Sequence, residues 1–168
     1  MRKMFFAFPI ILLFSCMEKH STPDTFLIPE DLHGHFAVVY GQKCGVEPTT
    51  ENGRRILRIP DCGVLVIQPD FEEGIIDHEY YFVDVNGNRT KINVVDDIGK
   101  ASQYPGVYLM STNTVNGENP DGSRIANTQL VTYNDFVVVR KGDVIDTVGI
   151  YDDHSFDAVV DSVVKACR

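Results

Sequence analysis

Tyr80-Tyr81-Phe82-Val83-Asp84-Val85-Asn86-Gly87-Asn88-Arg89-Thr90-Lys91-Ile92-Asn93-Val94-Val95 is the stretch that decides the fold class. Aromatic and β-branched residues fill Tyr80 to Val85, and a second such run spans Lys91 to Val95. Such residues suit a pleated, half-buried surface. Asn86-Gly87 lies between the runs, and both residues tolerate the positive φ of a tight hairpin turn. Working outward, Phe36, Val38 and Tyr40 alternate with His35, Ala37 and Val39 at period two. Arg55 to Ile59 reads as a strand closed by Pro60, and Val64 to Ile67 as one closed by Pro69. Gly106 to Met110, Gln129 to Tyr133, Phe136 to Val139 and Val144 to Val148 follow, with Lys141-Gly142 as a further hairpin turn. Turn residues every eight to twelve positions or so predict an all-β fold, an antiparallel sandwich. No long helical pattern falls between the strands, so a parallel βαβ sheet is not expected.

The C-terminus changes period. Phe156, Val159, Val160, Val163, Val164 and Cys167 fall on one helical face, opposite Asp157, Asp161, Ser162, Lys165 and Arg168. Asp153 or Ser155 is placed to cap the first turn. The spacing predicts an amphipathic helix over 155–166, packed on the sheet.

Across 168 residues, hydrophobic residues make up 43% and charged residues 23%, which excludes collagenous, coiled-coil and wholly disordered chains. A net charge of −9 leaves no electrostatic footprint for nucleic acid. The chain opens with Arg2-Lys3 and an apolar run from Met4 to Phe14. That pattern is the positive and apolar part of a secretory signal, too short to cross a bilayer core of about 30 Å. Leu13-Phe14-Ser15-Cys16 resembles the bacterial lipobox, which makes Cys16 the expected lipidation site. The expected organisation is a signal peptide over 1–15, a lipidated cysteine and tether over 16–25, and a single β-rich domain over 26–168. Processing removes Arg2 and Lys3 and leaves a still more acidic body. The acyl chains, rather than a basic patch, must then hold it to the membrane. Met17 after the cysteine leans toward outward sorting, and the choice of inner or outer membrane stays open.

Cys44, Cys62 and Cys167 remain, in a compartment where disulfides persist. Cys44–Cys62 is the first choice of bridge, because both sit in loops beside glycine. It would contribute about 3 kcal/mol in the chain-entropy model. Cys167, on the apolar helix face, is expected as a buried thiol. No C-x₂-C spacing points to a metal. His33 and His35 are weak metal candidates, set against the plainer reading of a polar entry to a strand. Asp84 to Asn88 has some calcium-loop residue types without the closing glutamate, and the hairpin explains it better. Asp153-His154-Ser155 holds triad residue types, but consecutive residues cannot form the hydrogen-bond chain. Tyr80, Tyr81, Tyr104 and Tyr108 are either a binding platform or core and cross-strand packing. No catalytic residue and no cofactor is expected.

Two stretches carry a resemblance. One is Phe26-Leu27-Ile28-Pro29-Glu30 with Gly34 and the strand ending in Tyr40. The other is Gly53-Arg54-Arg55-Ile56-Leu57-Arg58-Ile59-Pro60-Asp61-Cys62-Gly63-Val64-Leu65 with Glu79 to Val83. Together they resemble a family of uncharacterised bacterial envelope lipoproteins, over roughly residues 26 to 95, with a weaker echo at Phe136 to Lys141. The resemblance implies no assigned activity and carries over no functional residue. The strand order is similar to transthyretin-like and carboxypeptidase-regulatory sandwiches, which speaks to fold alone. The expectation is a non-enzymatic binding or structural module of the cell envelope. Its partners would be the membrane, through the lipid, and a protein or glycan. The alternative is a small envelope hydrolase or metal-binding protein using the His33/His35 region.

Overall fold

A computed structural model describes residues 19–95, 106–115, 131–140, 143 and 157–167. The strands are β1 (Asp24–Pro29), β2 (Gly34–Val39), β3 (Thr49–Glu51), β4 (Arg54–Arg58), β5 (Val64–Val66), β6 (His78–Val83), β7 (Arg89–Ile92), β8 (Gly106–Val115) and β9 (Val131–Val139). One helix, α1, covers Asp157–Ala166. A five-stranded sheet has the order β3-β4-β1-β6-β7 and a four-stranded sheet the order β5-β2-β9-β8. The sandwich-like all-β class is as expected, but the sheets are mixed rather than antiparallel. β1 runs parallel to both β4 and β6, and β2 runs parallel to β5.

The parallel pairs β1–β4 and β2–β5 follow from how the chain leaves the five-stranded sheet. Ile28-Pro29 ends β1, and Ile59-Pro60 follows β4 thirty-one residues later. Proline cannot donate to the ladder, so pairing stops and the chain turns out of the sheet. The turn closes when the Leu32 amide donates to the Pro29 carbonyl and the Gly63 amide to that of Pro60. Gly34 and Gly63 both have φ of +77°, a left-handed conformation that suits glycine. Each chain then enters the opposite sheet, as β2 and as β5. These are two copies of one arch, stacked side by side, and stacking like on like makes the neighbours parallel. The sequence shows no repeat on its face, because the arches differ in length.

Between the sheets, Phe26, Ile28, Leu57 and Tyr80 meet Phe36, Val38, Leu65, Phe136 and Val138, all buried. Phe36 stacks on Phe136 with centroids 4.8 Å apart, and Phe26 stacks on Tyr80 at 4.7 Å. Such pairs add about 0.5–1.5 kcal/mol each beyond area burial. The outer face of the four-stranded sheet is also covered, since Ala37, Val39, Val64, Val131 and Tyr133 cluster with Val160 of α1. With both faces buried, Phe36 to Val39 of β2 and Phe136 to Val139 of β9 are unbroken apolar runs. Val160 is fully buried while Val159 is half-exposed, so the helix seam is narrower than its six apolar positions.

Other expectations are adjusted. The β6–β7 hairpin forms, antiparallel, around Asp84 to Asn88. β9 is one strand across Asn134-Asp135, where the polar pair suggests a break, and both residues are buried. β8 runs past Met110 to Val115. The described fold begins inside the stretch 16–25 expected as a tether, because His20 bridges Ile75 and Asp24 and Thr25 are buried in β1. Residues 1–18, including Cys16, lie outside the described residues, as do Tyr104, 116–130, Lys141-Gly142, the run 144–148 and the Asp153-His154-Ser155 stretch with its caps.

The disulfide is corrected. Cys44 pairs with Cys167, Cα to Cα 5.4 Å, and Cys62 is an exposed free thiol. Cys62 lies in the arch before β5, whereas the loop after Cys44 meets the other end of β5, where Val46 bridges Ile67. The end of α1 brings Cys167 to Cys44, so Cys167 is not a buried thiol.

Candidate functional site

β1, β4 and β6 are parallel, so their first residues gather at one end of the five-stranded sheet. The register sets Asp24 opposite Arg55 on one side and His78 on the other. Arg55 grips both Asp24 oxygens, Nε to Oδ1 at 2.7 Å and Nη2 to Oδ2 at 3.1 Å. Its Nη1 donates to Glu72 Oε1 at 3.1 Å. Glu72 also accepts from the Thr22 amide at 3.0 Å and from its hydroxyl. Asp24 is 1% exposed, and a buried carboxylate needs such a partner. Beside it, Asn134 Nδ2 donates to the Tyr40 hydroxyl at 3.2 Å, and the Thr112 hydroxyl donates to Asn134 Oδ1 at 2.9 Å. The His78 side chain is 7% exposed, with Nδ1 3.7 Å from Asp24 Oδ2. Among the described residues that Nδ1 has no hydrogen-bond partner. The space these groups enclose is about 50 Å³, of the size of one or two waters.

The electrostatics follow burial and partner. Burial lowers the His78 pKa, against the pull of Asp24, and keeps the ring neutral. The Thr22 hydroxyl, above all, holds Glu72 below the usual carboxylate range. Burial works against the Arg55 charge, but its hydrogen bond and attraction to Asp24 outweigh that and raise its pKa. Burial also raises the Tyr40 and Tyr80 hydroxyls. Each charge in this cluster is paired with another, which makes it a clamp on the segment entering β1.

A second concavity lies where β4 of one sheet and β5 of the other diverge beneath α1. It is an apolar groove of about 670 Å³, with walls from Val46, Pro48, Ile56, Leu65, Val66 and Val163, and the Cys44–Cys167 bridge in its lining. That volume lies within the range of small-ligand and peptide sites.

The sequence-singled histidines do not converge. His33 Nδ1 lies 3.6 Å from Asp143 and His35 Nδ1 3.2 Å from Asp135. Among the described residues, no group of three or more His, Cys, Asp or Glu is arranged to hold a metal. Asp84 Oδ1 accepts from the Asn86 and Asn88 amides, so its carboxylate is committed to the hairpin turn. Tyr80 and Tyr108 are buried and form no surface platform, while Tyr81 is partly exposed. The clamp is not apparent from the sequence, because Asp24 falls in the stretch expected as a tether. A pair of arginines opening a strand, Arg54-Arg55, is the signal that points to it.

A model of a family of unknown function (DUF6843) matches residues 20–141. That range begins at His20, where the described fold makes its first bridge, and stops short of α1. A 2.75 Å crystal structure of a candidate lipoprotein from Bacillus anthracis is similar, with TM-score 0.61 and 17% identity. The match covers 89% of this chain and 95% of that one, and at this identity it speaks to the fold alone. No curated protein matches the chain.

Proposed function

We propose, from the premise that this chain belongs to the DUF6843 family of unknown function, that it is a lipid-anchored module of the bacterial cell envelope that binds a partner. The anchor reading rests on Arg2-Lys3, the apolar run to Phe14 and the lipobox-like Leu13-Phe14-Ser15-Cys16. A Cys44–Cys167 bridge suits an exported, oxidised compartment.

The observation that carries binding is the apolar groove. Its walls are mostly aliphatic, with Glu47, Thr49 and Arg58 as the polar members of the lining, while many ionisable side chains elsewhere are tied to one another, as in Arg54–Asp77, Arg89–Glu51 and Lys91–Glu79. Glycans are gripped through convergent polar groups and aromatic faces. Aliphatic walls fit the apolar side chains of a protein segment better.

Two measurements test the reading. Cys16→Ser should move the protein from the membrane pellet to the soluble fraction, and retention in the pellet rejects the anchor. Anilinonaphthalene sulfonate, which reports apolar surface, should brighten on the soluble domain, and Val46→Asn should abolish the signal. Equal brightening in that variant rejects the groove.

A further inference from the structure

We infer that the loop carrying Ile75 and Ile76 is a second, direct membrane contact, which seats this end of the domain on the lipid headgroups. The inference rests on the lipidation of Cys16 proposed above.

Geometry supplies the first argument. The loop is fixed to the point where the tether leaves the fold. The Ile75 amide donates to the Lys19 carbonyl at 2.9 Å, and the Ser21 amide donates to the Ile75 carbonyl at 3.2 Å. Gly74 lets the strands lie flush, since a Cβ there would sit 2.7 Å from Lys19 O and Ser21 N. From Cys16 to His20 the chain has four steps, which reach about 14 Å at full extension. A headgroup layer is about 5–8 Å thick on each side of the bilayer. An acylated Cys16 therefore leaves the loop no more than roughly 10 Å of clearance above the lipid surface.

Chemistry supplies the second. Ile75 is 45% and Ile76 51% exposed, side by side at the tether exit. Isolated surface apolar residues need no explanation, but this pair lies within reach of the bilayer that the proposed anchor would hold. An acidic body is repelled by anionic lipid. On this face the repulsion is reduced. Arg55 holds Asp24 and Glu72, Arg54 holds Asp77, and Lys19 and His20 are exposed beside the isoleucines. Asp70 and Glu73 remain exposed, so zwitterionic lipid suits the contact better than anionic lipid.

The chain has no tryptophan, so an introduced one reports alone. The full lipoprotein carrying Ile76→Trp is reconstituted into phosphatidylcholine vesicles with and without dibrominated acyl chains. Val85→Trp is the control, because Val85 is fully exposed beyond the far end of β6. A seated loop places its side chains about 5–10 Å into the headgroup and acyl boundary, so brominated lipid should quench at least half the Ile76→Trp fluorescence and leave Val85→Trp unchanged. Protein that floats with the vesicles but shows no quenching at Ile76→Trp, or equal quenching in both variants, overturns the seating while the anchor stands. Protein that fails to float overturns the anchor itself. Hydrogen exchange on the unaltered lipoprotein checks the result without substitution. Amides 73–77 should exchange more slowly on vesicles than in lipid-free detergent, and unchanged exchange counts against the contact.

Discussion

The guanidinium of Arg55 holds both carboxylate oxygens of Asp24, at 2.7 and 3.1 Å, across adjacent parallel strands. One side chain thereby fixes the first residue of β1 to the second residue of β4. Removing the cation while leaving a buried carboxylate behind costs about 3–5 kcal/mol. Arg55→Met should lower unfolding free energy in urea by about that much. Arg55→Lys keeps the charge but not the fork, and should fall between the two.

Acid should weaken the fold in two stages. The folded-state pKa of His78 is depressed, because burial disfavours the charged ring. The unfolded chain therefore binds more protons, and stability is full above about pH 6.5 and falls as pH drops through the folded value. Glu72 is also depressed, chiefly by the Thr22 hydroxyl, so its contribution is present above the normal glutamate range and is lost below it. Urea midpoints measured from pH 7 to 5 should decline, and His78→Phe should flatten that decline. A slope unchanged in His78→Phe shows that another group titrates.

Reduction should cost far more than the loss of Cys62. The Cys44–Cys167 bridge spans 123 residues, and a loop of that size contributes about 5 kcal/mol in the chain-entropy model. Cys44→Ala should lower thermal stability steeply and bring the wild-type protein's sensitivity to dithiothreitol to nothing. Cys62→Ser should change stability by less than about 0.5 kcal/mol, as expected of an exposed side chain. Alkylation of the folded mature protein should label Cys62 alone of the three domain cysteines.

The two arch glycines should differ. A Cβ at Gly34 meets nothing within 4 Å, so Gly34→Ala incurs only the left-handed backbone penalty of about 1–2 kcal/mol. At Gly63 the same atom would lie 3.2 Å from the His35 carbonyl, so Gly63→Ala should cost more in the same denaturation assay. Equal costs would mean that the arches do not stack as tightly as their register requires.

What the sequence makes legible is local. Period-two alternation marks β2, runs closed by proline mark β4 and β5, an aromatic and valine run marks β6, Asn86-Gly87 marks the β6–β7 turn, and valine spacing marks α1. Each depends on neighbours a few residues apart. Pairing across the sandwich is a different matter. Ile28-Pro29 and Ile59-Pro60 are plain to read as strand ends, yet nothing local says that both turns cross to the opposite sheet. For that reason the parallel ladders and the Cys44–Cys167 bridge escape a reading by hairpins. The clamp escapes for a related reason, since Asp24, Arg55, Glu72 and His78 lie up to 54 positions apart and meet only through register. His33 and His35, close in sequence, face different aspartates. The apolar groove needs two sheets and a helix before it exists at all.

The central place of β1 also bears on mechanics. If Cys16 is held in a membrane as proposed, a tug on the domain passes through the segment 19–22 into β1, which lies between two partners running in its own direction. The tension is directed along that strand, so both flanking ladders must rupture together rather than peel open one bond at a time. Under the proposed anchor, the domain would be wired to resist traction from its own leash.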